Sequence, residues 1–190
     1  MSKVRPSVYG IVLHVLLIAL AVSTVLLARE NFRSRAAGSA DRPEPLLVAG
    51  ASFPSYRFQD LEGIPRTVDF SRPDGPDHLL FFFTTTCPLC TDVQPLWKAL
   101  YESLEGRAEV LAVSFDPLET TRAYKERMEL PFPVLVVPDP NAFVQRYQLT
   151  GVPFTLQVAG AGRVRGSWLG PLTEGDLFDI VSDYAASPGA

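Results

Sequence analysis

A continuous apolar run, Leu79-Leu-Phe-Phe-Phe83, stands near the middle of the chain. Its length suits a strand better than a helix. Because both alternating sets of positions are apolar, it predicts a strand covered on both faces. Residues 109–115 and 132–137 predict two further buried strands. Between them, 117–128 reads as a helix, and after them 139–147 reads as a shorter one. Val93, Leu96, Trp97, Leu100 and Leu104 recur at helical spacing and predict a helix soon after the central strand. Pro95 inside that pattern should bend the helix or leave one carbonyl unpaired.

Upstream, 52–58 and 65–70 read as short strands flanking the turn 60–63, a β-hairpin, and 72–77 reads as a loop. Downstream, strands over 154–158 and 164–169 are joined by the hairpin turn 159–162. Thr173 and Asp176 form a capping pair for a last helix through Leu177, Ile180, Val181 and Tyr184. This order predicts an α/β domain with a central mixed sheet flanked by helices in three layers, preceded by the β-hairpin.

The first residues follow a different pattern. Residues 8–28 carry no permanent charge and are apolar except at Gly10, His14, Ser23 and Thr24. About 20 such residues suffice for a transmembrane helix. Lys3 and Arg5 precede them, as in the charged region of an export signal. We read 1–28 as a retained signal anchor, a single-pass transmembrane helix, in preference to a cleaved signal peptide or a buried helix. Residues 29–45, rich in Arg, Ala, Ser and Pro, read as a flexible tether, and 46–190 as the folded domain. Charge counting does not fix the orientation, since Arg29, Arg33 and Arg35 follow the span. Placement of the domain outside a bacterial inner membrane, facing the periplasm or cell exterior, is inferred from the chemistry below.

Composition narrows the function classes. The 190-residue chain is 47% hydrophobic, enough for a real core, and its net charge of −4 gives no reason to expect a nucleic-acid partner. Only two cysteines are present, so a disulfide-dense scaffold is excluded. They stand as Cys87-Pro88-Leu89-Cys90, directly after the central strand and at the start of a helix. That spacing places both sulfurs on the first helical turn. Unpaired N–H groups there favour a thiolate at Cys87, and Cys90 becomes the resolving thiol. Pro88 suits the first helical position, where a missing N–H costs nothing. The other readings are half of a zinc site, an inert disulfide, or two small buried hydrophobes. A zinc site lacks ligands, because His14 and His78 are the only histidines.

Strand, Cys87-Pro-Leu-Cys90, Pro95 in the following helix and Gly151-Val152-Pro153 before a later strand together resemble the thioredoxin-like superfamily. With the anchor, the hairpin and the helix over 117–130, the pattern is most similar to membrane-anchored TlpA/ResA-type redoxins. The MauD-type proteins, with their Cys-Pro-x-Cys centre, are close in pattern. The resemblance covers roughly residues 46–185. It implies a thioredoxin-like three-layer sandwich and a thiol–disulfide oxidoreductase that works through Cys87 and Cys90. The redox-active disulfide would need no further cofactor. It also implies protein disulfide or dithiol substrates, for example in cytochrome c or periplasmic enzyme maturation, with an upstream membrane electron donor. Pro153 would be cis beside the attacking cysteine, Val152 would offer backbone to a substrate strand, and Phe154 would flank the groove.

Three departures bear on the direction of electron flow. Thr86 replaces the common tryptophan before the first cysteine, Val93 replaces a glutamate, and Phe81 fills the slot of a buried acid. Asp92 is the nearest remaining candidate for a helper acid, beside Pro88 and Thr86. These residues leave oxidant versus reductant open, and it is the resemblance that implies reduction of protein disulfides. A thiol peroxidase is one rival, because Thr84 precedes Cys87 by three residues, with Arg122 or Arg127 as candidate arginines. A Sco-like copper-binding protein is another, although no histidine follows Cys87.

Overall fold

The computed structural model describes Leu17, Ala21, Ser23 and residues 47–186. The chain divides into a unit of residues 1–44 and a unit of residues 45–190. Of the first, only Leu17, Ala21 and Ser23 are described, all helical. The expected anchor and tether otherwise lie outside the described residues. No helix among the described residues is long and apolar enough to cross a membrane.

The second unit is built on a seven-stranded mixed sheet of order β2-β1-β5-β4-β3-β6-β7. The strands are β1 (Tyr56–Gln59), β2 (Pro65–Val68), β3 (His78–Phe83), β4 (Glu109–Ser114), β5 (Val134–Val136), β6 (Phe154–Ala159) and β7 (Arg163–Leu169). β3, β4 and β5 run parallel, whereas β6 lies antiparallel to β3. Helices α1 (Pro88–Asp92), α2 (Gln94–Ser103), α3 (Leu118–Arg127), α4 (Pro140–Tyr147) and α5 (Glu174–Ala186) complete the element order.

β3 is buried at all six positions because helices or aromatic segments cover both faces of the sheet. Strand alternation sends Leu80 and Phe82 to one face, with Phe53, Phe58, Phe70 and the α4 residues Phe143 and Tyr147. Leu79, Phe81 and Phe83 point to the other, with Cys90, Trp97, Tyr124, Ile180 and Tyr184. There the Trp97 ring stacks on Phe81 at 4.8 Å between centroids. Phe81 therefore fills the slot of a buried acid with aromatic packing.

Several boundaries depart from the hydrophobic pattern for identifiable reasons. The helix after Cys87 is broken rather than bent. α1 ends at Asp92, Val93 links the two segments, and α2 restarts with Pro95 in its first turn, where no N–H is required. The third buried strand shrinks to Val134–Val136 between Pro133 and Pro138, which cannot donate to a ladder. Strand β1 starts only at Tyr56, while Phe53 is driven fully into the core. The β6–β7 connection is a 3-10 turn, Gly160–Gly162, in which Gly162 has φ +72°. A Cβ on Gly162 would lie 2.8 Å from the Phe53 carbonyl oxygen, so close backbone approach requires glycine there. The cap of α5 matches its sequence signature. The Asp176 N–H donates to Thr173 Oγ1 at 3.2 Å, and the Thr173 N–H donates to Asp176 Oδ2 at 2.7 Å.

Candidate active site

β3 leaves the core at Phe83 and enters a turn of three threonines. The Cys87 N–H donates to the Thr84 carbonyl at 3.3 Å, which closes that turn. Cys87 is extended (φ −81°, ψ 113°) and acts as the N-cap of α1, with Pro88 in the first turn. Its Sγ accepts the Cys90 N–H at 3.1 Å, so the cap is the sulfur itself. This orients Cys87 toward a half-exposed position while Cys90 turns inward, fully buried. Both cysteines are free thiols.

The second half of the site comes from 65 residues further along. Cys87 Sγ lies 3.7 Å from the Val152 carbonyl oxygen. The Val152–Pro153 peptide bond is cis. The Gly170 N–H donates to the Pro153 carbonyl at 2.8 Å, tying this loop to the end of β7. Because β6 neighbours β3, a loop entering β6 arrives beside the turn leaving β3. Sheet order thus brings two distant segments together.

The sulfurs experience different surroundings. The Cys90 thiol is pushed up to about 12, first by burial, then by its hydrogen bond with Cys87 and by the charges of Cys87 and Asp116. A backbone hydrogen bond from Thr84 opposes this. Cys90 is therefore held as a thiol at neutral pH, and the accessible sulfur is Cys87.

Of the residues singled out in the sequence, Cys87, Cys90, Pro88, Val152 and Pro153 come together here. Thr86 is exposed on the turn, and Leu89 is exposed between the cysteines. Asp92 is exposed at the far end of α1, and its carboxylate has no hydrogen bond or ion pair with a described residue. Phe154 does not flank a groove: its ring is 1% exposed and packs 5.9 Å from Phe82. The register pairs it with Phe82, so its side chain must share the buried face of that residue. Val93, in the slot of the glutamate, is buried.

Two features escaped the linear reading. Asp116, half-buried just beyond β4, accepts the Thr85 N–H at 2.5 Å. Gln94, buried one residue beyond the helix break, donates from Nε2 to the Tyr124 hydroxyl at 2.6 Å, which also meets Thr91 Oγ1 at 3.3 Å. An acid at a strand end in a parallel sheet was the signal for the first, since such ends gather at one edge. No local signal marks the second. Among the described residues, no group of three or more His, Cys, Asp or Glu side chains is placed to hold a metal ion.

Residues 49–163, more than half of the chain, match the model of the AhpC/TSA family. The chain belongs to that family. It is 28% identical over 131 residues to the thiol:disulfide interchange protein HelX of Rhodobacter capsulatus, covering 68% of this chain and 73% of HelX. The thioredoxin domain of a thiol-disulfide oxidoreductase from Bacteroides vulgatus superposes with a TM-score of 0.63 at 21% identity, covering 73% of this chain and 98% of that one. A thiol:disulfide interchange protein from Bacteroides sp. gives a TM-score of 0.62 at 19% identity, covering 74% and 92%. The thioredoxin-like fold expected from the sequence is borne out by these structures, and the resemblance to the superfamily by the family match.

Proposed function

We propose that this AhpC/TSA family member is a thiol–disulfide oxidoreductase acting on other proteins. The observation that carries this reading is the arrangement of a half-exposed Cys87 Sγ, a buried Cys90 one turn behind it, and the Val152 carbonyl oxygen 3.7 Å from the Cys87 sulfur. The name of HelX, a thiol:disulfide interchange protein, supports the same chemistry.

The steps follow from the two environments. In the reductive direction, Cys87 gives up its proton and its thiolate attacks one sulfur of a partner disulfide. The Cys87–partner bond forms as the partner S–S bond breaks, and the partner's other sulfur leaves as a thiolate that takes up a proton. Cys90 then loses its proton and attacks Cys87 Sγ. This closes the Cys87–Cys90 disulfide and releases the second partner thiol. Two electrons pass from the dithiol to the partner, and the cysteine pair itself carries them without a separate cofactor. Burial of Cys90 leaves the first attack on the partner to Cys87. Val152, partly buried, offers its backbone beside the sulfur to an extended substrate segment.

We take the direction to be reductive, as the TlpA/ResA resemblance implies. On that reading the apolar segment 8–28 anchors the protein in a bacterial inner membrane with the redox domain outside. An upstream membrane donor restores the dithiol, and the partners are exported proteins such as apocytochromes or periplasmic enzymes. The peroxidase alternative is weakened by its candidate arginines. Arg122 is engaged by Glu119 at 2.7 Å and by the Leu61 carbonyl, and Arg127 lies over the Tyr124 ring.

Insulin or oxidised apocytochrome c reduction tests the proposal, using the full chain with a thiol donor. Wild type should turn over, and Cys87→Ala should not. Rapid peroxide consumption lost in Cys87→Ser, with no protein-disulfide reduction, would replace the reading with the peroxidase one.

A further inference from the structure

Asp116 stands where the parallel strand β4 ends, at the same edge of the sheet as the turn leaving β3. Its backbone is set by a closed ring of hydrogen bonds. The Asp116 N–H donates to Ser114 Oγ at 3.1 Å, Ser114 and Thr121 hydroxyls meet at 2.8 Å, and the Thr121 hydroxyl donates to the Asp116 carbonyl at 3.3 Å. Ser114 and Thr121 are both fully buried, so this ring is shielded from water. The ring leaves the carboxylate free to act as an acceptor. Oδ2 takes the Thr85 N–H, two residues before Cys87. The turn is also tied by Cys87 N–H to Thr84 O and by a backbone hydrogen bond from Thr84 to Cys90, but at Thr85 the tie is the carboxylate.

We propose that Asp116 is a positioning residue of the redox centre: its carboxylate clamps the threonine turn and so sets how Cys87 Sγ is presented beside the Val152–Pro153 bond. The clamp uses an acceptor oxygen, while the charge acts separately on the buried sulfur. Cys87 and Asp116 are the two ionisable groups acting on Cys90, and each raises its thiol. An acceptor without charge should therefore keep the first role and lose the second. This deepens the oxidoreductase reading and rests on it, but its test needs no partner protein.

Alkylation of Cys87 by iodoacetamide and titration of Cys90 separate the roles in the full chain. With Cys90→Ser, the rate at Cys87 should fall about tenfold in Asp116→Ala, the scale of losing one charge-assisted hydrogen bond. Asp116→Asn, which retains an oxygen acceptor, should recover most of that loss. With Cys87→Ser, the pH at which the buried Cys90 ionises, followed by thiolate ultraviolet absorbance, should move lower in Asp116→Asn, because a repelling negative charge has gone. Asp116→Ser replaces the alanine variant if that one fails to melt cooperatively. Equal Cys87 rates in all variants, or an asparagine variant as slow as the alanine one, would overturn the proposal. If these rates shift as described while no protein disulfide is reduced, the positioning role stands and the oxidoreductase reading falls.

Discussion

The same three strands end very differently at the two edges of the sheet. At one edge, β3 and β4 finish and β6 begins, and the chain presents a half-exposed sulfur, a cis proline and a single carboxylate clamp. At the other, β3 and β4 begin and β6 finishes, and polar side chains are paired into a lock. His78 and Glu109 stand opposite each other in the β3–β4 register and meet at 3.1 Å. Asp77 binds Arg165 at 2.8 Å and accepts the Gly160 N–H at 2.8 Å. The buried Tyr184 hydroxyl donates to the His78 carbonyl at 2.8 Å, and Gln157 reaches Asp183 at 2.6 Å. The lesson is a division of labour along one strand. Polar interactions fasten the edge without chemistry, and the aromatic middle supplies bulk stability. The far edge is then left with an accessible sulfur.

Variants can break this contrast, and the largest effect belongs to the chemical edge. Cys87→Ala should lower disulfide exchange to background, a loss of at least about a thousandfold, because the attacking sulfur is gone. Its thermal unfolding should stay close to wild type, since Cys87 is only partly buried. A cavity in the middle comes next. Phe82→Ala removes a fully buried ring between Phe115, Phe143 and Phe154 and should cost about 3–5 kcal/mol in urea unfolding. A pH-dependent effect distinguishes the redox states. The Cys90 thiol ionises near 9.0 in an unfolded chain and near 12 in the fold. Above pH 9 the unfolded dithiol releases a proton that the native state keeps, so unfolding gains. Stability of the reduced protein should be fully present below pH 9 and decline from there toward pH 12. Melting curves of the oxidised protein, which has no thiol to ionise, should lack that component. The smallest change is at the locked edge. Tyr184→Phe should cost about 1 kcal/mol of stability and leave exchange rates untouched. A drop in exchange there would mean the two edges are coupled.

The sequence carried much of this contrast, though unevenly. The strand at 79–83 was legible because a run buried on both faces needs no knowledge of its neighbours. Cys87 and Cys90 were legible because their spacing alone puts them on one helical turn, and the Gly151-Val152-Pro153 motif pointed to the second half of the site through resemblance. What escaped depends on register and sheet order. Phe154 adjoins Pro153 in sequence, yet its pairing with Phe82 turns it into the core. Asp116 joins the site only through the parallel pairing of β4 with β3. The Gln94–Tyr124 contact joins residues 30 positions apart on different helices, which local periodicity cannot reveal. Pro95 was read correctly as a disruption. The helix is interrupted at Val93, and Gln94, at the start of the next helix, is buried.

The central claim is that Cys87 attacks and Cys90 resolves. Trapping tests it most directly. Full-length Cys90→Ala, fully reduced and then mixed with a disulfide-bearing protein such as insulin, should accumulate a mixed disulfide. Intact-mass and peptide mapping should place that bond on Cys87, and dithiothreitol should release it. Finding no adduct with Cys90→Ala, or an equally fast adduct on Cys90 in Cys87→Ala, would contradict the assignment of roles.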